Sequence, residues 1–124
     1  MFRIKDKKIH LTRGDIANIQ VQANDNYVFK TGDVLRFKVI KKKDCGCIEI
    51  QKDVIVEEET TSVNINLTSA DTKIGELINK PSTYWYEIEL NPDTNPQTIV
   101  GYDEDGEKLF ILYPEGEDKK WLKK

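Results

Sequence analysis

A chain of 124 residues, 38% hydrophobic and 33% charged, is sized for one domain, excludes two ordinary ones, and is too apolar for intrinsic disorder. Its net charge of -3 disfavours a general nucleic-acid binder, and no run approaches the about 18 apolar residues of a membrane-spanning helix. Charge is unevenly placed: residues 1–43 carry a net +7 and the remainder a net -10. That split is read as solvated strand faces in preference to complementary ends for head-to-tail association.

The first residues, Met1-Phe2-Arg3-Ile4-Lys5-Asp6, hold charge where a secretory leader would be apolar, so no signal peptide is expected and folding in a cytosol is. From there apolar residues recur with a period of two rather than 3.6. A short strand is expected around Ile9 and Leu11, ending in the bend Arg13-Gly14-Asp15, which joins an edge strand to the next. Ala17, Ile19 and Val21 then alternate with Asn18, Gln20 and Gln22. Tight reversals are expected at Asn24-Asp25-Asn26 and Thr31-Gly32-Asp33. Leu35, Phe37 and Val39 alternate with Arg36 and Lys38, and a polar turn follows through Lys41-Lys42-Lys43-Asp44-Cys45-Gly46.

Ile48 and Ile50 open the next strand, which continues to Val54 and Val56 with a slip, and so a bulge, expected at Lys52-Asp53. Glu57-Glu58-Glu59 is expected to decorate a hairpin turn. Val63, Ile65 and Leu67 form a further alternating strand. The segment Thr68–Gly75 breaks the rhythm and predicts one helical turn, capped by Thr68 or Ser69, favoured by Asp71 at its positive end and stopped by Gly75. That turn should cross from one sheet to the other. Tyr84, Tyr86, Ile88 and Leu90 make the longest alternating face, opposite Trp85, Glu87 and Glu89. Pro92 and Pro96 mark a loop, since neither can donate to a ladder. Thr98 and Val100 flank Ile99, Asp105-Gly106 is a turn, and Leu109, Ile111 and Tyr113 alternate with Phe110 and Leu112 as if covered on both sides. About seven or eight short strands predict an all-β sandwich or barrel. The domain should span residues 1–114, with residues 115–124 a charged tail.

The same residues offer little chemistry. Cys45-Gly46-Cys47 could supply two thiolates, but a closed zinc site needs about four ligands, and His10 is the only histidine. A disulfide between the two is disfavoured in a reducing cytosol, and the turn reading is preferred. With one histidine, read as a solvated outward side chain, no His-based triad is supported. Asp103-Glu104-Asp105-Gly106 resembles part of a calcium loop without its later ligands, so a surface hairpin is preferred. Arg13-Gly14-Asp15 is too short a motif to indicate cell adhesion. No catalytic residue, cofactor or metal is therefore expected. Among aromatics, Tyr84 and Tyr86 should lie in the core with hydroxyls reaching the rim. Trp85, sharing its face with Glu87 and Glu89, should be partly exposed and is a candidate partner contact.

The order of these features resembles the amino-terminal domain of phage baseplate upper proteins. The resemblance is carried by Leu11-Thr12-Arg13-Gly14-Asp15, Thr31-Gly32-Asp33-Val34-Leu35-Arg36-Phe37-Lys38-Val39, Ile65-Asn66-Leu67-Thr68, Asp71-Thr72, Tyr84-Trp85-Tyr86-Glu87-Ile88-Glu89-Leu90 and Gln97-Thr98-Ile99-Val100-Gly101. It runs from about Ile9 to Tyr113. It implies an immunoglobulin-like sandwich of antiparallel strands that docks onto other virion proteins without catalysis. Because no stalk sequence follows the domain, the expectation widens to a baseplate, tail, neck or head-surface accessory or adaptor, located in the virion. Its expected partners are other phage structural proteins, in multiple copies of a symmetric assembly, with neither nucleic acid nor membrane. Trp121 and Leu122, set among lysines in the tail, are candidate anchors on a neighbouring chain. The alternative is a carbohydrate- or host-surface-binding module using Trp85 or the loop Asn91–Pro96.

Overall fold

The computed structural model describes residues 2–5, 8–23, 27–41, 47–74, 81–101 and 108–114, the first four by backbone alone. Among them run nine strands and one helical turn. These are β1 (Phe2–Lys5), β2 (Lys8–Thr12), β3 (Ala17–Gln22), β4 (Val34–Ile40), β5 (Ile48–Ile55), β6 (Ser62–Leu67), α1 (Ser69–Thr72), β7 (Ser82–Leu90), β8 (Gln97–Val100) and β9 (Lys108–Tyr113). The strand β1 was not foreseen, because Phe2 and Ile4 are too short a run to carry a period.

The strands form two sheets. The larger has the order β1-β2-β9-β7-β4-β5, and the smaller is β3-β6. One edge of β7 is shared: β9 pairs with its first half and β8 with its second. With β3, β4, β5, β6, β7 and β9 taken as strands B, C, C′, E, F and G, the order G-F-C-C′ facing B-E resembles the immunoglobulin one, without a strand D among the described residues. One pair departs from the antiparallel expectation: β2 runs parallel to β9. The two lie at opposite ends of the chain, so no hairpin forces them to run against each other.

The period-two pattern becomes the core. Ala17, Ile19 and Val21 of β3 and Val63, Ile65 and Leu67 of β6 are buried against Leu35, Phe37, Val39, Tyr84, Tyr86, Ile88 and Leu90 of the larger sheet, in one cluster. Phe37 lies 5.8 Å from Tyr86 and 6.4 Å from Phe110 between ring centroids, at the centre of that cluster. Each fully buried aliphatic or aromatic side chain there contributes about 1.5–3 kcal/mol relative to exposure.

Several local readings are corrected. The register of β5 with β4 is continuous from Ile55 to Ile50, and the irregularity lies at Val39/Ile40, where Glu49 has no opposite number. The pattern around Lys52 does not slip. Lys52 stands opposite Phe37 on the inward parity, and its ammonium reaches Asp71 Oδ2 at 2.9 Å. An inward-turned lysine on an edge strand blunts that edge against further pairing. Glu57, Glu58 and Glu59 do not sit on a hairpin: they are exposed where the chain leaves β5 in one sheet for β6 in the other. The last strand begins one residue early, and Lys108, Phe110 and Leu112 face inward while Leu109, Ile111 and Tyr113 are half-buried on the other side.

The crossover from β6 to β7 passes through α1, as the break in rhythm predicts. Thr68 is the cap: its Oγ1 accepts from Asp71 N–H, and the Asp71 carboxylate accepts from Thr68 N–H at 2.8 Å. These reciprocal bonds form a capping box. Burial works against the Asp71 carboxylate, but Thr68 N–H and Lys52 outweigh it and hold the carboxyl below its ordinary value.

Candidate functional site

Strand register places side chains on the outer face of the larger sheet in rows. Ile48 stands opposite Ile40, Ile40 opposite Trp85, and Trp85 opposite Leu109. This apolar row crosses four strands, and Ile48 at its edge is 47% exposed. Ile111 continues it one step along β9, opposite Thr83 and His10.

Trp85 itself is half-buried, in keeping with the reading of its face. Its indole Nε1, however, is buried and makes no hydrogen bond, the one such side-chain nitrogen or oxygen among the described residues. Leaving a donor in that state costs about 1–3 kcal/mol. Trp85 therefore offers a neighbour ring surface rather than a hydrogen-bond donor.

The next rows are charged and self-satisfied. Lys38 Nζ lies 3.0 Å from Glu87 and 2.9 Å from Glu89. Arg36 forks onto Asp53 through Nε and Nη2, at 2.9 and 3.0 Å, and reaches Asp93 at 3.2 Å. The Asp53 hydrogen bond is the main reason the Arg36 guanidinium holds its proton more tightly than usual. Burial opposes charge on Lys38, but its two glutamates outweigh burial and raise its affinity for a proton. All four of these pairs join a basic residue from the first 43 positions to an acid from the remainder. The uneven charge of the sequence is thus offset within the fold.

The other sequence candidates resolve as follows. His10 lies on the same outer face, half-buried, with Nδ1 2.9 Å from Tyr113 Oη, rather than as a freely solvated side chain. The loop after β7 is pinned inward. Asn91 adopts φ 49°, its Oδ1 accepts from Val34 N–H at 2.8 Å, and its amide donates to Asp33 at 3.2 Å. Tyr84 and Tyr86 are buried as expected, and burial pushes the Tyr86 hydroxyl up to about 12.

Arg13-Gly14-Asp15 is committed to the fold. Thr72 Oγ1, fully buried, donates to Asp15 C=O at 2.7 Å and accepts from Gly14 N–H at 3.1 Å. Arg13 Nε donates to Ile74 C=O at 3.0 Å. Gly14 has φ 89°, a conformation that glycine adopts without a Cβ clash. The three-residue motif therefore fastens the β2–β3 bend to α1, and β2 is not the edge strand expected, since β1 covers it.

Cys47 is disulfide-bonded, whereas the assumption of a reducing cytosol disfavours a disulfide; the turn reading itself rests on residues 42–46, which lie outside the described residues. Cys45 lies outside the described residues, as do Trp121, Leu122 and Asp103–Gly106. Among the described residues no group of three or more His, Cys, Asp or Glu is placed to hold a metal ion. No described helix is long and apolar enough to cross a membrane.

Two further features escaped the sequence reading. Lys108 is 5% exposed on the core face, opposite Tyr86. Two adjoining clefts also open between β3 and β8, of about 270 and 580 Å³, both lined by Val21, Gln22, Ile99 and Val100. Both depend on the way the sheets are stacked, which a local pattern does not encode.

No protein-family model matches the chain, and no curated protein matches it.

Proposed function

We propose that this protein is a structural component of a bacteriophage particle, a baseplate, tail, neck or head-surface accessory that works through protein–protein contacts. The observation that carries the contact reading is the apolar row Ile48-Ile40-Trp85-Leu109, set on an outer face beside the ion-paired rows of Lys38 and Arg36. An apolar stripe bordered by charge is the form a docking surface takes. Assignment to a phage particle rests on the likeness of Ile9–Tyr113 to baseplate upper domains. The immunoglobulin-like strand order is compatible with it, and folds of this kind host many functions.

The carbohydrate reading is less well supported. Sugar sites combine a stacking ring with convergent polar groups, whereas here the Trp85 N–H is occluded and Asn91 and Asp93 are engaged by Val34, Asp33 and Arg36. Substituting Trp85→Glu should leave the circular dichroism spectrum of the sandwich intact and reduce incorporation into particles at least tenfold. Full incorporation of a folded Trp85→Glu protein would remove this face from the account. Specific glycan-array binding lost in Trp85→Ala would favour the carbohydrate reading instead.

A further inference from the structure

The two sheets are unequal. Among the described residues the larger has seven strands and the smaller only β3 and β6, so β3 has a described neighbour on one side alone. The Ala23 N–H donates to Thr61 C=O at 2.8 Å, and this pair continues the β3–β6 register. Antiparallel bonding alternates. Val21, Ile19 and Ala17 therefore bond to β6, and the backbone N–H and C=O of Asn18, Gln20 and Gln22 point to the open side.

The two edges of this small sheet differ. On β6, the Thr60 hydroxyl accepts from Ser62 N–H at 3.1 Å and donates to Ser62 C=O at 2.9 Å, closing the first open position. Among the described residues no such bond closes Asn18, Gln20 or Gln22. Natural edges are usually guarded by charge, proline or a bulge. β3 has none of these: it reads Ala-Asn-Ile-Gln-Val-Gln and pairs with β6 without a register shift. In a chain with 33% charged residues, the described strands free of charge are β3, β6 and β8. β3 and β8 also border the same two clefts, where Ile99 is 37% exposed.

We propose that the open edge of β3 pairs with the same edge of a second copy of this chain. The pairing is antiparallel about a two-fold axis through Gln20, with Asn18 facing Gln22 of the second copy. It joins the small sheets into one of order β6-β3-β3-β6. Three facing pairs give about six backbone hydrogen bonds, two for each pair. On the solvent side the facing side chains are all amides. A strand meeting its own copy in this way brings no like charges together, which is the requirement an isologous contact imposes. A charge at Gln20 would be set against its own image, and like charges at Asn18 and Gln22 would be set against each other. The absence of charge therefore selects a second copy over a charged partner segment. The clefts of both copies then lie beneath the new seam, shielding Ile99 and Val100 from water. This inference concerns the isolated protein and does not depend on the virion reading.

Sedimentation equilibrium of the full chain tests it. The expected result is a concentration-dependent species of twice the 14.4 kDa chain mass, with a Kd of about 10 μM for so small a contact. Gln20→Lys should be monomeric at every concentration with an unchanged circular dichroism spectrum. Asn18→Lys combined with Gln22→Lys, which sets lysine against lysine across the seam, serves if Gln20→Lys fails to fold. Amide exchange at Asn18, Gln20 and Gln22 should speed up on dilution of the natural protein. A natural chain that stays monomeric at about 100 μM, ten times that Kd, would overturn the proposal. So would a dimer that persists in both folded lysine variants.

Discussion

Thr72 and Tyr86 show how single polar groups are used inside this sandwich. Thr72 Oγ1 is the hinge of the clasp between the β2–β3 bend and α1. Thr72→Val keeps the shape and removes the hydroxyl, leaving the part-buried Gly14 N–H without its acceptor. Unfolding free energy in urea should fall by about 1–3 kcal/mol, and Thr72→Ser should recover most of the loss. Tyr86 responds to pH. Its hydroxyl is raised by burial from 10.0 to about 12, so the folded state holds the proton after the unfolded chain has released it. The resulting stability is complete below pH 10.0 and is lost as pH rises through about 12. Burial raises the Tyr84 hydroxyl as well, so tyrosinate absorbance should show a late-titrating component that Tyr86→Phe reduces, and the same substitution should flatten the alkaline limb of the stability curve.

At the level of elements, the short helix depends on its cap. Thr68→Ala removes the acceptor for Asp71 N–H and should cost about 1 kcal/mol. Because the Asp71 carboxyl lies below its ordinary 3.8 in the folded state, its contribution is present above that value and fades as pH falls through the folded one. Asp71→Asn should therefore be less sensitive to acid than the natural protein. The cap was readable from Thr68 and Asp71, and the strands β3, β4, β6 and β7 were readable from alternation, because each buries one face only. The inward Lys52 was not: its position is sustained by Asp71, nineteen residues away in sequence, and looked locally like a broken pattern. Likewise the outward side of Trp85 followed from parity, but its alignment with Ile40, Ile48 and Leu109 required the strand order.

Across the whole molecule, the larger sheet carries both a neutralised charge lattice and an apolar row, and the smaller sheet carries an open uncharged edge. These surfaces answer different needs. The row Ile48-Ile40-Trp85-Leu109 suits an unlike partner, and the β3 edge suits a second copy. A symmetric virion ring or collar uses contacts of both kinds. The claim that joins them is that the protein is a stoichiometric part of a particle. Quantitative mass spectrometry of purified particles from the host that carries the gene tests this directly. The account predicts a fixed copy number per particle, retained through a density gradient and matching a discrete feature in labelled electron micrographs. Particles complete and infectious without the chain, with the protein found only in the cell lysate, would contradict it.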